Sequence, residues 1–158
     1  MFDDNRAQRP IVAGTVERAA LKPDPVFYQG KRADGTWVMR NPRPITRALL
    51  LRGQERFNIY CAPCHDRAGT GKGQSVDPKY QAFPPPPNYA DERIRLMPDG
   101  QVFDVITAGV RTMPSYRHQV SETDRWAIIA YVRALERSQG TSIRDLSPAE
   151  IEKLEGKR

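Results

Sequence analysis

Apolar positions along the chain follow helical rather than strand spacing. Leu49, Leu50, Gly53, Phe57 and Tyr60 recur three and four residues apart behind Thr46, a residue suited to cap a helix start. The pattern predicts a helix that delivers Cys61 at its C-terminal end. Further on, Ile128, Tyr131, Val132 and Leu135 stand at i, i+3, i+4 and i+7, behind Ser121-Glu122-Thr123-Asp124, which has the form of a capping box. Between these two, Val102, Phe103 and Ile106 predict a shorter helix that starts at Asp99-Gly100 and stops at Gly109. Ser147-Pro148-Ala149-Glu150 predicts a last short helix to about Glu155, with proline at its first position. No polar–apolar alternation competes, so the expected fold class is all-α.

This periodicity covers residues 46–139, which we expect to form one compact domain; 158 residues leave room for little more than that. Residues 1–45 have no sustained period and contain Pro10, Gly14, Pro23, Pro25, Gly30 and Pro44. They read as an extended arm that cannot bury a core of its own. Residues 140–158 form a C-terminal extension. The longest apolar run, Ala127 to Val132, is far shorter than the roughly 18 to 20 residues that span a bilayer. The Met1 end lacks an apolar signal segment, so the chain as it stands is expected to be soluble by itself. Lys and Arg outnumber Asp and Glu by 25 to 19, a net charge of +6. That balance favours acidic partners or anionic membranes, whereas the interspersed acids argue against a nucleic-acid stripe.

The two cysteines narrow the chemistry. They sit in Cys61-Ala62-Pro63-Cys64-His65, the C-x-x-C-H spacing of c-type haem attachment. Two thiols must add to two vinyl groups on one porphyrin edge while the next histidine reaches the iron, and a tight turn does both. The competing readings are weaker. A thioredoxin-like dithiol belongs near a βαβ pattern, and nothing upstream reads as a β-branched strand. Downstream, Arg67-Ala68-Gly69-Thr70-Gly71-Lys72-Gly73 is a loop and not a continued helix. A zinc site needs four ligands, and His118 alone cannot complete one with these cysteines.

On these residues the chain resembles class I cytochromes c. In that family an N-terminal helix with a glycine and an aromatic one turn later crosses a C-terminal helix carrying an aliphatic and an aromatic residue. Gly53 and Phe57 look like the first pair, Ile128 and Tyr131 like the second, with Trp126 packed near the haem or the crossing. Glycine at the crossing permits close approach of the two backbones. Candidates for the sixth iron ligand are Met39, Met97, Met113, His118 and the lysines. Met113 lies on an extended stretch between Gly109 and Pro114-Ser115-Tyr116, just before the last long helix, where class I cytochromes carry their ligand methionine. Met97-Pro98 copies the family's Met-Pro dipeptide but leads directly into a helix and reads as a packing residue; His118 or an open site complete the alternatives. His65/Met113 ligation implies electron transfer, because both axial positions are filled and methionine raises the potential. The resemblance also implies that a proline carbonyl accepts the Nδ1 proton of His65. Phe83-Pro84-Pro85-Pro86-Pro87-Asn88 supplies candidates, and the same run also reads as a stiff polyproline II connector.

A second resemblance is narrower. Arg9 to Arg18, Arg52 to Tyr60, Gly109 to Tyr116 and Asp124 to Val132 are similar to the monohaem cytochrome c subunit of alternative complex III. This implies a subunit of a membrane-bound, quinol-oxidising respiratory or photosynthetic complex on the periplasmic face of the cytoplasmic membrane. It would carry one covalent haem c and take electrons from a multihaem cytochrome or iron–sulfur partner. It would pass them to a soluble carrier or terminal oxidase, with no catalysis of its own. The arm would then lie across partner subunits. Members of that family usually begin with a lipoprotein signal and a lipidated cysteine, absent here, so Met1 is either internal to a processed chain or anchoring rests on protein contacts. Two alternatives stand beside this reading. One is a free diffusible periplasmic cytochrome c steered by Lys72, Arg111 and Arg117; the other is a haem enzyme or gas sensor in which Met113 is off the iron.

Overall fold

The computed structural model describes residues 14–15, 24–77, 79, 83–140 and 146–155. Its helices are α1 (Pro25–Gln29), α2 (Arg47–Tyr60), α3 (Ala62–His65), α4 (Glu92–Arg95), α5 (Asp99–Ala108), α6 (Glu122–Gly140) and α7 (Pro148–Glu155), with a 3-10 turn at Gln74–Val76. Among the described residues, β pairing is limited to the isolated bridges Lys31–Trp37 and Val110–Met113, so the fold is all-α as expected.

The two long helices start where their caps predict. The Thr46 hydroxyl accepts from the Leu49 N–H at 3.1 Å, and the Ser121 hydroxyl accepts from the Asp124 N–H at 3.2 Å. The expected box at Ser121 is only half built, because the Asp124 carboxylate turns to Arg52 on α2 instead, with Nε at 2.7 Å and Nη2 at 3.0 Å. A bidentate guanidinium is a stronger partner for a carboxylate than a backbone amide. Leu49, Gly53 and Phe57 bury one line of α2 against α6. At the crossing, a Cβ on Gly53 would lie 2.0 Å from the Ala127 carbonyl oxygen and 2.9 Å from Tyr131 Cβ. The helices therefore meet backbone to backbone, and the Tyr131 ring packs one turn along, 5.4 Å from Phe57.

Helix α6 is buried continuously from Arg125 to Ala130 because it has neighbours on two sides. Away from α2, Trp126 stacks on Phe103 of α5 with ring centroids 4.6 Å apart. The Trp126 indole N–H donates to the Phe27 carbonyl at 2.7 Å, tying α1 to the core. Residues 24–45, read from sequence as part of the arm, are held against this same chain. Val38 is buried, and its carbonyl accepts from the Gly100 N–H at 2.8 Å. The Asn41 backbone N–H donates to Asp99 and its side-chain amide to the Trp126 carbonyl. Of the segment Arg9 to Arg18, only residues 14–15 lie within the described residues. Helix α7 forms over the predicted span, and the Glu150 carboxylate reaches back to the Ser147 N–H at 2.8 Å and to its hydroxyl at 2.6 Å.

Candidate haem site

Helix α2 ends at Cys61, whose N–H still bonds the Phe57 carbonyl at 2.9 Å. Helix α3 is a single turn in which the Cys64 and His65 amides both donate to the Cys61 carbonyl, at 3.1 and 2.9 Å. This turn sets two unlinked, partly buried thiols and a buried imidazole side by side. Burial, reinforced by Cys64, pushes the Cys61 thiol up to about 12. That is the reverse of the lowered value a redox dithiol uses. Burial also pulls His65 down to about 4, against the opposing pull of Asp66, so the imidazole is neutral at physiological pH with a lone pair to give. No group of three or more metal-binding side chains forms among the described residues, which leaves the zinc reading without support.

The loop after the motif is folded back onto it. Asp66, at φ 56°, is its pin: its carboxylate accepts from the Ala68, Thr70 and Lys72 amides at 2.6, 3.0 and 3.1 Å and from the Thr70 hydroxyl. Burial opposes the charge on Asp66, but these hydrogen bonds, led by Thr70, hold its carboxyl below the usual range. The Gly71 and Gly73 amides then take the carbonyls of His65 and Cys64, at 3.1 and 3.0 Å. Among the described residues no proline carbonyl receives His65 Nδ1, and this nitrogen is buried without a hydrogen-bond partner there.

Met113 is half-buried on a tight turn in which Val110 and Met113 exchange backbone hydrogen bonds at 3.1 and 2.9 Å. Arg111 takes the left-handed φ of 51° in that turn. Three residues on, the Tyr116 ring meets the edge of Tyr60 at 6.4 Å, next to Cys61, and its phenol is pushed up by burial and by the nearness of Cys61 and Cys64. The stretch just after the methionine turn thus reaches the end of α2 that leads into the cysteine turn. Of the other candidates, Met39 is 55% exposed and His118 is also exposed. Met97 sits between α4 and α5 with its carbonyl bound by Arg133. Lys72, Arg111 and Arg117 are all exposed. Two neighbours of the site, Asp66 and Tyr89, stand outside the residues that the sequence motifs single out. An acid directly before a Gly-rich loop, and an aromatic two residues after a proline run, are the signals that mark them.

The donor set fits haem c: two free thiols three residues apart, a neutral buried imidazole beside them, and a wall in which Tyr60, Ala62, Tyr89 and Tyr116 pack on the Phe57–Phe103–Ile106 core. Residues 48–132 match the family described as "Cytochrome C oxidase, cbb3-type, subunit III". The chain belongs to this cytochrome c family. Its members carry covalently attached haem c, so the two cysteines have a cofactor to hold. The cytochrome is also 27% identical over 145 residues to the cytochrome bc1 complex cytochrome c subunit of Corynebacterium diphtheriae, covering 86% of this chain. It spans about half the length of that relative, 46%. Among solved structures it resembles a chain of the Kuenenia stuttgartiensis reducing HAO-like protein complex, with a TM-score of 0.50 and 22% identity over 70% of this chain and 54% of that one. This likeness bears on the fold alone. No helix among the described residues is long and apolar enough to cross a membrane.

Proposed function

We infer that this cytochrome is a one-electron relay in a membrane-bound, quinol-oxidising complex of the alternative complex III type. Cys61 and Cys64 would hold one haem c by thioether bonds, and His65 and Met113 would ligate its iron. The observation that carries the ligand set is the contact of Tyr116, three residues after Met113, with Tyr60, which directly precedes Cys61 and the turn that bears a neutral His65. When bound, haem c supplies an iron couple that takes and gives one electron. The chain's own contribution is to hold the donors. The Asp66-pinned loop ties down the backbone around Cys64 and His65, burial keeps the imidazole unprotonated, and the apolar wall excludes water.

The resemblance to alternative complex III and the similarity to a subunit of a bc1 complex both support a place in a respiratory assembly. A multihaem cytochrome or iron–sulfur protein would be the donor, and a soluble carrier or terminal oxidase the acceptor. The working location would be the periplasmic face of the membrane, reached through partner contacts or a removed anchor. The visible spectrum of the haem-loaded protein and of Met113→Ala tests the ligand set. The weak long-wavelength sulfur-to-iron band is expected in the oxidised parent and not in the variant. A parent that lacks the band and binds carbon monoxide readily when reduced would overturn the electron-transfer reading in favour of a haem enzyme or gas sensor.

A further inference from the structure

A histidine that ligates a metal usually has its plane fixed by a hydrogen bond from its other ring nitrogen to a carbonyl or carboxylate. Among the described residues His65 has no such restraint, since Nδ1 is buried with no acceptor. Its ring is instead covered by an aromatic one: the rings of His65 and Tyr89 stack with centroids 4.9 Å apart and planes 18° from parallel.

Tyr89 is itself fixed in place. Its N–H donates to the Gly69 carbonyl at 2.9 Å. Gly69 is left-handed, at φ 75°, and a Cβ there would lie 2.2 Å from Tyr89 Cδ2 and 3.0 Å from Cε2, so only glycine leaves the ring its room. On another side Phe57 lies 6.1 Å away, tilted by 59°. The loop pinned by Asp66 therefore secures two things at once, the backbone of the histidine turn and the ring that covers the histidine.

We propose that Tyr89 is the positioning residue of the axial imidazole: stacking on His65 sets the plane of the ligand ring and shields it from water, and Gly69 is the residue that admits it. This rests on reading His65 as an iron ligand. A shielded imidazole favours the reduced, less charged state, so removing the ring lowers the midpoint potential.

The test uses the full-length, haem-loaded protein with Tyr89→Phe, Tyr89→Leu and Gly69→Ala. Readouts are the hyperfine-shifted haem methyl pattern of the oxidised state, which reports the imidazole plane, and the reduction midpoint. Tyr89→Phe should preserve both. Tyr89→Leu and Gly69→Ala should both redistribute the methyl shifts and move the midpoint down, with haem content unchanged. An unaltered methyl pattern in either of these variants overturns the proposal. Should they fail to take up haem, the reduced parent decides: a nuclear Overhauser contact between the Tyr89 and His65 rings is expected, and its absence overturns the proposal. A parent spectrum without histidine ligation would instead sink the ligand assignment itself, a separately readable outcome.

Discussion

Arg133 of α6 and Asp99, the first residue of α5, meet with Nε 2.7 Å from Oδ1. The pair is a junction between elements. The other Asp99 oxygen takes the Asn41 N–H at 2.7 Å, while the Arg133 guanidinium also reaches Glu136 at 2.8 Å and the carbonyl of Met97. Asp99 is 6% exposed, so an orphaned carboxylate there would stay out of water. Arg133→Ala is therefore expected to cost about 3 kcal/mol of unfolding free energy in urea titration. Arg133→Lys should recover only part of it, because an ammonium cannot serve carboxylate and carbonyl partners with one planar fork.

Two glycines of the main helices should respond differently to alanine, one with a loss of stability and the other with none. Alanine is ordinarily the better helix former by about 1 kcal/mol. At Gly53 a Cβ would fall 2.0 Å from a backbone oxygen of α6, an atom that cannot swing aside, so Gly53→Ala has to push the helices apart. A net loss of about 2 kcal/mol or more is expected. At Gly140 the nearest atoms to a new Cβ belong to the Arg95 side chain at 3.7 Å, so Gly140→Ala should be neutral or mildly stabilising. Thermal melts of the two variants beside the parent check both expectations.

The contrast shows what was legible in the sequence. Gly53 falls on the apolar line of a helical period and its place at the crossing is what the resemblance to class I cytochromes c implies, while the chemistry of the cysteine turn is written within five residues. Contacts made through backbone atoms were not legible. The Trp126 indole binds the Phe27 carbonyl, and Val38 binds the α5 start through its own carbonyl. No side-chain pattern announces either, which is why residues 24–45 read as arm. Tyr89 escaped for a related reason: its contact with His65 exists only because the loop at Gly69 folds under both.

The pairing of Asp124 with Arg52 sets a pH dependence. The Arg52 hydrogen bonds hold the Asp124 carboxyl below its ordinary value of 3.8 in the folded state. A group lowered on folding contributes stability that is present above the unfolded value and lost as pH falls through the folded one. The melting temperature of the parent should exceed that of Asp124→Asn at pH 6 to 7. The gap should close as the pH is taken below 3.8, and it should narrow at high salt because the pair lies near the surface. A gap that persists unchanged down to pH 2 would mean that the charge is not what Asp124 contributes.

The docking of residues 24–45 also changes how the arm must be tested. Deleting residues 1–44 would remove Val38 and Asn41 from the core and leave the buried Trp126 N–H without its acceptor, a penalty of about 1 to 3 kcal/mol from that group alone. Loss of assembly in such a variant would not separate a missing contact from a weakened domain. Deletion of residues 1–23 avoids this, because it spares every contact described above. If the arm lies across partner subunits, that shorter deletion should leave haem content and melting temperature at parental values while the cytochrome shifts from complex to monomer size in detergent extracts of its native membrane. Unchanged co-migration with the complex would show that the domain surface, and not the arm, makes the attachment. A parent that already runs as a monomer would favour the diffusible carrier.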